Sequence, residues 1–354
     1  MLMEEADVLI IGQGLAGSWL SWWLERAGLS YRVIDDADPL SASRHAAGLI
    51  NPVTGRRMVK TWMIDELMPF AWKAYHEMGQ FLQTDLISET SVIDFFPTVQ
   101  MLQAFQKRYS EDPSYLSPGI NANQYNAWFH YDLGWGSIDP CYLVHTEKLL
   151  SAWRSHLLGK GYLREETFNM DKLVDKDPVY QYEGLNAHYI IFCDGKLSAG
   201  NKFFEKLPFA LNKGEGLLVE IQEIPQTAVF KKGMSLVPWK DHIFWVGSSY
   251  QWEFSDDEPS ENFLHTTENW MKNFLRVPYK IIDHFAAVRP ATLERRPFAG
   301  FHPQYAGIGI LNGLGTKGCS LAPYFAAQLA EKIAGHGVID PLADIKRFQK
   351  ILMK

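Results

Sequence analysis

The sequence predicts an α/β fold in which the two ends of the chain build one layered α/β unit and a β-rich α+β region is inserted between them. Three observations carry this. Residues 7–34 read as strand, glycine turn, helix, strand. Residues 308–334 read as strand, glycine turn, helix. Between them, residues 217–247 alternate in the manner of an antiparallel sheet.

Asp7 to Ile11 (DVLII) is a short apolar run that ends at glycine, the pattern of a buried parallel strand. Gly14 to Ala27 is helical, with Ala16, Leu20, Trp23, Leu24 and Ala27 on one face, and Gly28 ends it. Tyr31 to Ile34 supplies the second strand of a βαβ unit. Asp65 to Leu82 predicts a further helix. Trp135 to Asp139 is a tight segment before a helix expected over Tyr142 to Leu158. Tyr189 to Cys193 is a buried strand ending near Gly195. Leu217 to Ile221, Met234 to Pro238 and His242 to Gly247 suit an antiparallel sheet, and Ser255 to Ser260 a polar loop. Ile308 to Leu311 is the last strand. It runs through Gly313 and Gly315 into a helix over Ser320 to Ala334. Neither an internal repeat nor a low-complexity segment interrupts the chain.

With 354 residues the chain suits two interleaved domains. A net charge of -7 gives no electrostatic footprint for nucleic acid or an anionic membrane. Cys141, Cys193 and Cys319 lie far apart and suit reduced thiols. The 11 histidines form no short-spaced ligand cluster, so no metal is expected. No apolar run reaches the length of a membrane span, and the first strand begins too early to leave room for a signal peptide. A cytoplasmic protein is expected.

Gly12-Gln13-Gly14-Leu15-Ala16-Gly17 is a GxGxxG motif in its informative context, after a strand and opening a helix. Gly12 permits the tight turn, Gly14 the approach of a pyrophosphate to the backbone, and Gly17 the packing of helix on strand. The helix N-terminus carries partial positive charge toward the phosphates. Asp35, with Asp36 as the alternative register, closes the second strand where a carboxylate accepts from ribose hydroxyls. The motif predicts a Rossmann-type dinucleotide site. By itself it does not separate NAD from FAD.

Four further stretches narrow the choice. They are Ser41 to Pro52 (SASRHAAGLINP), Gly136 to Pro140 (GSIDP), Val288 to Thr292 with Arg296 to Gly300, and Gly313 to Gly318 (GLGTKG). In this order, with the GxGxxG, they resemble the D-amino-acid oxidase superfamily of flavoenzymes over essentially the whole chain. That group includes glycine oxidase and the sarcosine oxidases and dehydrogenases. The resemblance implies FAD, a Rossmann-type FAD-binding domain split in sequence (1–80, 136–215 and 285–354) and a substrate domain with an antiparallel sheet (81–135 and 216–284). Two stretches depart from the family pattern: Cys193-Asp194-Gly195, where a small residue and Thr or Ser usually precede the glycine, and Glu294 to Arg296, where an Asp is usual.

The resemblance also assigns residues. Ser43 and Arg44 lie on the loop that passes under pyrophosphate and flavin, where a hydroxyl and a guanidinium suit phosphate oxygens. Ala46, Ala47 and Gly48 are small enough for a flat ring to lie on their backbone. His45 matches the histidine that bonds covalently to flavin in dimethylglycine and sarcosine dehydrogenases. Packing beside the ring, or a hydrogen bond to the backbone, is the preferred reading for His45. Gly195 follows the late strand. Gly313, Gly315, Thr316, Lys317 and Gly318 form the turn whose helix points at the flavin pyrimidine, with Lys317 stabilising charge on the reduced ring. Arg289 matches the arginine that grips the substrate carboxylate in glycine and D-amino-acid oxidases. Arg56, Arg57 and Lys60 form a basic cluster, read as a solvated face or a site for an anionic substrate. Trp239, Tyr250 and Trp252 are candidates to roof the pocket.

The function expected is oxidation of a C–N bond in a small amine or amino acid, with hydride transfer to flavin and hydrolysis of the resulting imine. The rivals are a tRNA-modifying oxidoreductase acting on a carboxymethylaminomethyl group, a flavin-binding protein without turnover, and a nicotinamide dehydrogenase. Substrate identity, electron acceptor and oligomeric state are not readable from the sequence.

Overall fold

In the computed structural model, which describes residues 3–354, the N-terminal apolar run forms the strand Glu4–Ile11. Val8, Leu9 and Ile10 are wholly buried, so both edges of this strand must be paired. Tyr31–Ile34 lies parallel on one edge and Leu185–Phe192 parallel on the other. Leu163–Arg164 extends the sheet past Tyr31–Ile34, and Ile308–Asn312 runs parallel to the end of Leu185–Phe192. The antiparallel strand Phe298–Phe301 and the hairpin Leu173–Asp175 with Tyr180–Tyr182 complete eight strands.

The helices Leu15–Arg26 and Gly318–Ile333 pack against each other over this sheet, and Trp23 Nε1 donates to the Pro323 carbonyl at 2.9 Å. Trp19, Trp22 and Trp153 are buried in the same layer. Each ring system of that size removes enough apolar surface to favour folding by about 4–6 kcal/mol before entropy is counted.

The second sheet has nine strands. Its main path runs Lys280–Arg289, Asn212–Glu220, Ile243–Gly247, Met234–Lys240, Val229–Lys232, Ile87–Phe95, Trp135–Val144 and Leu49–Ile50, with Leu116–Pro118 also on Trp135–Val144. Every pairing is antiparallel except Val229–Lys232 with Ile87–Phe95. The helix expected from Asp65 runs over Ile64–Leu82. The helix expected from Tyr142 starts instead at Thr146 and ends at Lys160. Tyr142, Leu143 and Val144 complete the strand that begins at Trp135, because Ile87–Glu89 pairs with them on one side and Leu49 and Ile50 on the other. A short apolar run has no period of its own, and ladder hydrogen bonds on both edges decide for strand. Among the described residues, no helix is long and apolar enough to cross a membrane.

Two connections bring the sheets together. The loop after Tyr31–Ile34 reaches the second sheet, where the His45 carbonyl accepts from Trp245 Nε1 at 3.0 Å. The strand ending in Arg289 returns to the first sheet, where the Pro290 carbonyl accepts from the Gly315 amide at 3.1 Å.

Candidate active site

The glycine turn is as tight as the motif requires. Gly12 has φ 99°, and a Cβ there would lie 2.6 Å from the Cys193 carbonyl oxygen. A Cβ on Gly17 would lie 1.8 Å from the Gly12 oxygen, so the helix can sit on the strand only with glycine at that position. The helix starts at Gly14 with no side-chain cap and no acid in its first turn. Leu15 and Ala16 are buried in that turn. A Cβ on Gly318 would lie 3.3 Å from Leu15 Cδ1, which sets the starts of the first and last long helices side by side. Two positive helix ends thereby face one cradle.

Asp35 closes the second strand beside this turn. Its Oδ2 accepts from the Gln13 amide at 2.7 Å, and its Oδ1 from Arg154 Nη1 at 2.6 Å. Asp36 is exposed, and its carboxylate accepts from Thr167 Oγ1 and the Asp38 amide. Ser43 Oγ accepts from the Leu15 amide at 3.1 Å, so the predicted loop does return to the helix start. Arg44 follows with its side chain half-buried. Ala46 accepts from Thr146 Oγ1 through its carbonyl, and the Gly48 carbonyl accepts from Val144. Ala47 packs on the core of the second sheet.

His45 is held within the chain at one ring nitrogen and one ring face. Its Nε2 bonds to the Pro39 carbonyl at 2.9 Å, and its ring stacks on Phe285 with centroids 4.6 Å apart. Burial holds the imidazole pKa below its ordinary value, so the ring is neutral at neutral pH.

The late glycine turn is tied to the neighbouring strand end. Asn312 Nδ2 donates to the Gly195 carbonyl and to Ser198 Oγ, both at 2.9 Å, and Asn312 Oδ1 accepts from the Gly313 amide at 2.8 Å. Ser198 Oγ donates in turn to Asp194. Gly315 lies against Ala291, and Thr316 is exposed. Lys317 is half-buried at the helix start. Burial, and then repulsion from Arg296 and Arg295, lowers its pKa.

Arg289 ends the strand that pairs with Asn212–Glu220. Its Nη1 donates to Asn212 Oδ1 at 2.8 Å and to the Ser249 carbonyl at 3.1 Å, and its guanidinium carbon stands 5.0 Å from the Tyr250 ring centre. A Cβ on Gly214 would lie 1.8 Å from Nη2, so only glycine lets the guanidinium lie flat on the strand. No acid faces it among the described residues, and burial lowers its pKa. A cation withdrawn from water without a counter-charge is a receptor for an anion.

The remaining candidates separate. Tyr250 covers Arg289, Trp239 packs in the core of the second sheet, and Trp252 is exposed. Arg56 and Arg57 are exposed on the turn between Val53–Thr54 and Val59–Lys60. Lys60 is neutralised by Asp65 at 2.7 Å. The sequence reading missed Arg154, Asn212 and Phe285, each brought in by an element far along the chain with no local motif to mark it.

Comparison with known proteins agrees with this geometry. The FAD dependent oxidoreductase family model matches residues 7–332. Iminodiacetate oxidase from Chelativorans sp. BNC1 shares the fold at a TM-score of 0.79 and 20% identity, over 96% of this chain and 98% of that one. Glycine oxidase from Geobacillus kaustophilus does so at 0.79 and 16%, over 96% and 98%. L-proline dehydrogenase from P. horikoshii does so at 0.76 and 14%, over 99% of each chain. With a helix start free of acid, an acid at the second strand end and a glycine turn returning to the same cradle, the chain belongs to the FAD-dependent oxidoreductase family.

Proposed function

We propose that this flavoenzyme oxidises the C–N bond of a small amine or amino acid that carries a carboxylate, in the cytoplasm, giving an imine that water hydrolyses. The observation that carries this reading is Arg289, a permanent cation with neutral partners only, at the end of a strand that leads directly to the late glycine turn. Three buried free cysteines suit a reducing compartment.

The cradle fits FAD on this chain's own features: glycines at positions that a Cβ would fill, and a helix start with no acid in its first turn and a glycine at its N-cap. In this reading Gly12, Gly14, Leu15, Ala16 and Gly17 receive the pyrophosphate and Asp35 the ribose. Ser43 and Arg44 support the phosphates. His45, Ala46, Ala47 and Gly48 lie along the ring without a covalent bond, and Gly195, Gly313, Gly315, Thr316, Lys317 and Gly318 close the far side. In this reading the FAD-binding domain takes residues 1–80, 136–215 and 285–354 and the substrate domain residues 81–135 and 216–284, with the second-sheet strands Trp135–Val144, Asn212–Glu220 and Lys280–Arg289 running across those bounds. FAD, when bound, supplies the two-electron acceptor for the hydride on the carbon beside nitrogen. Arg289 holds the substrate carboxylate in a bidentate grip and so fixes which C–H faces inward. Tyr250 covers the guanidinium and strengthens that grip by excluding water. Lys317 places positive charge at the late turn. No strong enzymatic base is required once the substrate amine is neutral.

The test is anaerobic titration with glycine, N-methylglycine, proline and D- and L-amino acids, followed by loss of the oxidised-flavin absorption. One of them is expected to bleach the flavin. Arg289→Ala is expected to raise the concentration required by roughly 100-fold, about 3 kcal/mol of lost carboxylate binding. If Arg289→Ala leaves that concentration unchanged, the carboxylate role is lost. If none of these compounds bleaches the flavin, small amino acids are not the substrates, and a carboxymethylaminomethyl group on tRNA becomes the next one to test.

A further inference from the structure

Asn212 opens the strand Asn212–Glu220 and stands opposite Arg289 in the antiparallel register. It is 1% exposed. Its Oδ1 accepts from Arg289 Nη1 at 2.8 Å, while its Nδ2 is sealed from solvent and has no hydrogen-bond partner among the described residues. The opposite amide orientation would set two donors against each other, so the chemistry of the guanidinium decides which atom faces it.

A buried donor without a partner destabilises a fold. Aspartate has nearly the same shape as asparagine, has no donor to orphan, and would set a full negative charge against the guanidinium from the same position. A full charge pair with the guanidinium was therefore open to this position, and the chain carries the neutral amide instead. Asparagine orients the guanidinium through the same oxygen and leaves its charge unneutralised. The other contacts of Arg289, the Ser249 carbonyl and the Tyr250 ring, are also uncharged. Lys213 and Glu215, the charged neighbours of Asn212 along its strand, are engaged elsewhere: Lys213 with Asp256 at 3.0 Å, and Glu215 with the Ser260 amide at 2.6 Å and His284 at 3.0 Å. Side chains alternate along a strand, so this puts the acid on the opposite face.

We infer that Asn212 is a specificity-determining positioning residue, which holds Arg289 in place with a neutral acceptor so that its whole charge stays available to an anionic group of the substrate. The inference rests on the carboxylate reading of Arg289 proposed above. It requires that an acid at this position should occupy the receptor from within.

The experiment compares wild type, Asn212→Asp, Asn212→Ser and Arg289→Ala as FAD-loaded proteins. Each is titrated with acetate and with propionate, followed by the change in the visible flavin bands, and melted in parallel. Asn212→Asp is expected to bind either carboxylate at least about tenfold more weakly than wild type, with a Tm equal to or above it. Asn212→Ser, neutral and smaller, should stay within about threefold of wild type. With an amino acid that reduces the flavin, Asn212→Asp should raise KM and leave kcat unchanged. Loss of affinity together with gain of stability is not the signature of a damaged core. Carboxylate affinity in Asn212→Asp equal to wild type overturns the inference. So does an Asn212→Asp protein that fails to fold or to keep FAD, because the guanidinium should accommodate the acid. If Arg289→Ala binds acetate and propionate as wild type does, or wild type responds to neither, the reading of Arg289 falls and this inference falls with it. If Arg289→Ala loses binding while Asn212→Asp does not, only the inference about Asn212 is wrong.

Discussion

Lys317 shows how one side chain's surroundings change what its charge can do. It stands at the start of the last long helix, where the backbone already carries partial positive charge, and Arg296 and Arg295 lie close enough to disfavour the ammonium. Arg296 itself spreads over the Trp62 ring, 4.1 Å from its centre. Crowding of cations at one turn is unfavourable and is relieved by a nearby negative charge; in the reading proposed above, reduced flavin supplies it. Lys317→Met is therefore expected to lower the flavin two-electron potential by about 20–40 mV, equivalent to about 1–2 kcal/mol. The sign with pH follows from the lowered pKa. The wild-type ammonium loses its proton below the ordinary lysine value, so the difference between the two proteins should shrink as the solution is made alkaline, before an ordinary lysine titrates. Potentiometry of both proteins near neutral and at alkaline pH checks this, and a pH-independent gap would remove Lys317 as the source.

Elements meet at this site end to end, and the polar groups at their ends form continuous chains. Leu185–Phe192 and Ile308–Asn312 are parallel neighbours, so both finish at the same edge. Across that edge, Asp194, Ser198, Asn312 and the Gly313 amide are linked by successive hydrogen bonds. Burial pushes the Asp194 carboxyl up to about 6, against the Ser198 bond, which lowers it. A carboxyl whose folded pKa is raised contributes stability that is full below its unfolded value and lost as pH rises through the folded one. The rise from 3.8 to about 6 corresponds to at most about 3 kcal/mol, less where water reaches the group. Denaturant unfolding should accordingly show wild type losing stability between about pH 4 and 6, and Asp194→Asn, which keeps an acceptor for Ser198, losing less over that interval. Equal slopes would mean that Asp194 is not the group responsible. Asn212–Glu220 applies the same economy of position to a strand. Its alternate residues serve Arg289 on one face, while Lys213 and Glu215 anchor residues 251–260 on the other.

At the scale of the whole molecule, the site belongs to neither sheet alone. The first sheet supplies the cradle and the second supplies Arg289. They meet through the loop that carries His45 and through the return at Pro290. A ligand lying across that meeting stabilises both. Non-covalent FAD is expected, because the His45 ring is occupied by the Pro39 carbonyl and by Phe285. Acid precipitation should release all the flavin and leave a polypeptide of unchanged mass. The resulting apoprotein should melt lower, with stability restored by about 2.7 kcal/mol when free FAD reaches 100 times its Kd. Retention of flavin mass on the denatured chain would show that His45, or another residue, bonds to it.

The sequence by itself determined the parts whose physics is local. The GxGxxG turn between strand and helix needs no distant residue to be recognised, because glycine spacing, apolar runs and helix starts are written within about 30 residues. The late glycine turn and the acid at the second strand end were legible for the same reason. Tertiary structure decided what depends on pairing across the chain. It turned Tyr142–Val144 from expected helix into strand by giving it two ladder partners. It tied Asp35 into the chain and left Asp36 at the surface, by placing the Gln13 amide and Arg154 against one carboxylate and not the other. It also set Asn212 opposite Arg289, 77 positions apart in sequence, where the register of two antiparallel strands and the absence of any facing acid leave the guanidinium charged and unpaired. Motifs specify backbone geometry, which neighbouring residues impose. The electrostatic state of a side chain is a sum over everything that surrounds it, and only the folded chain brings those surroundings together.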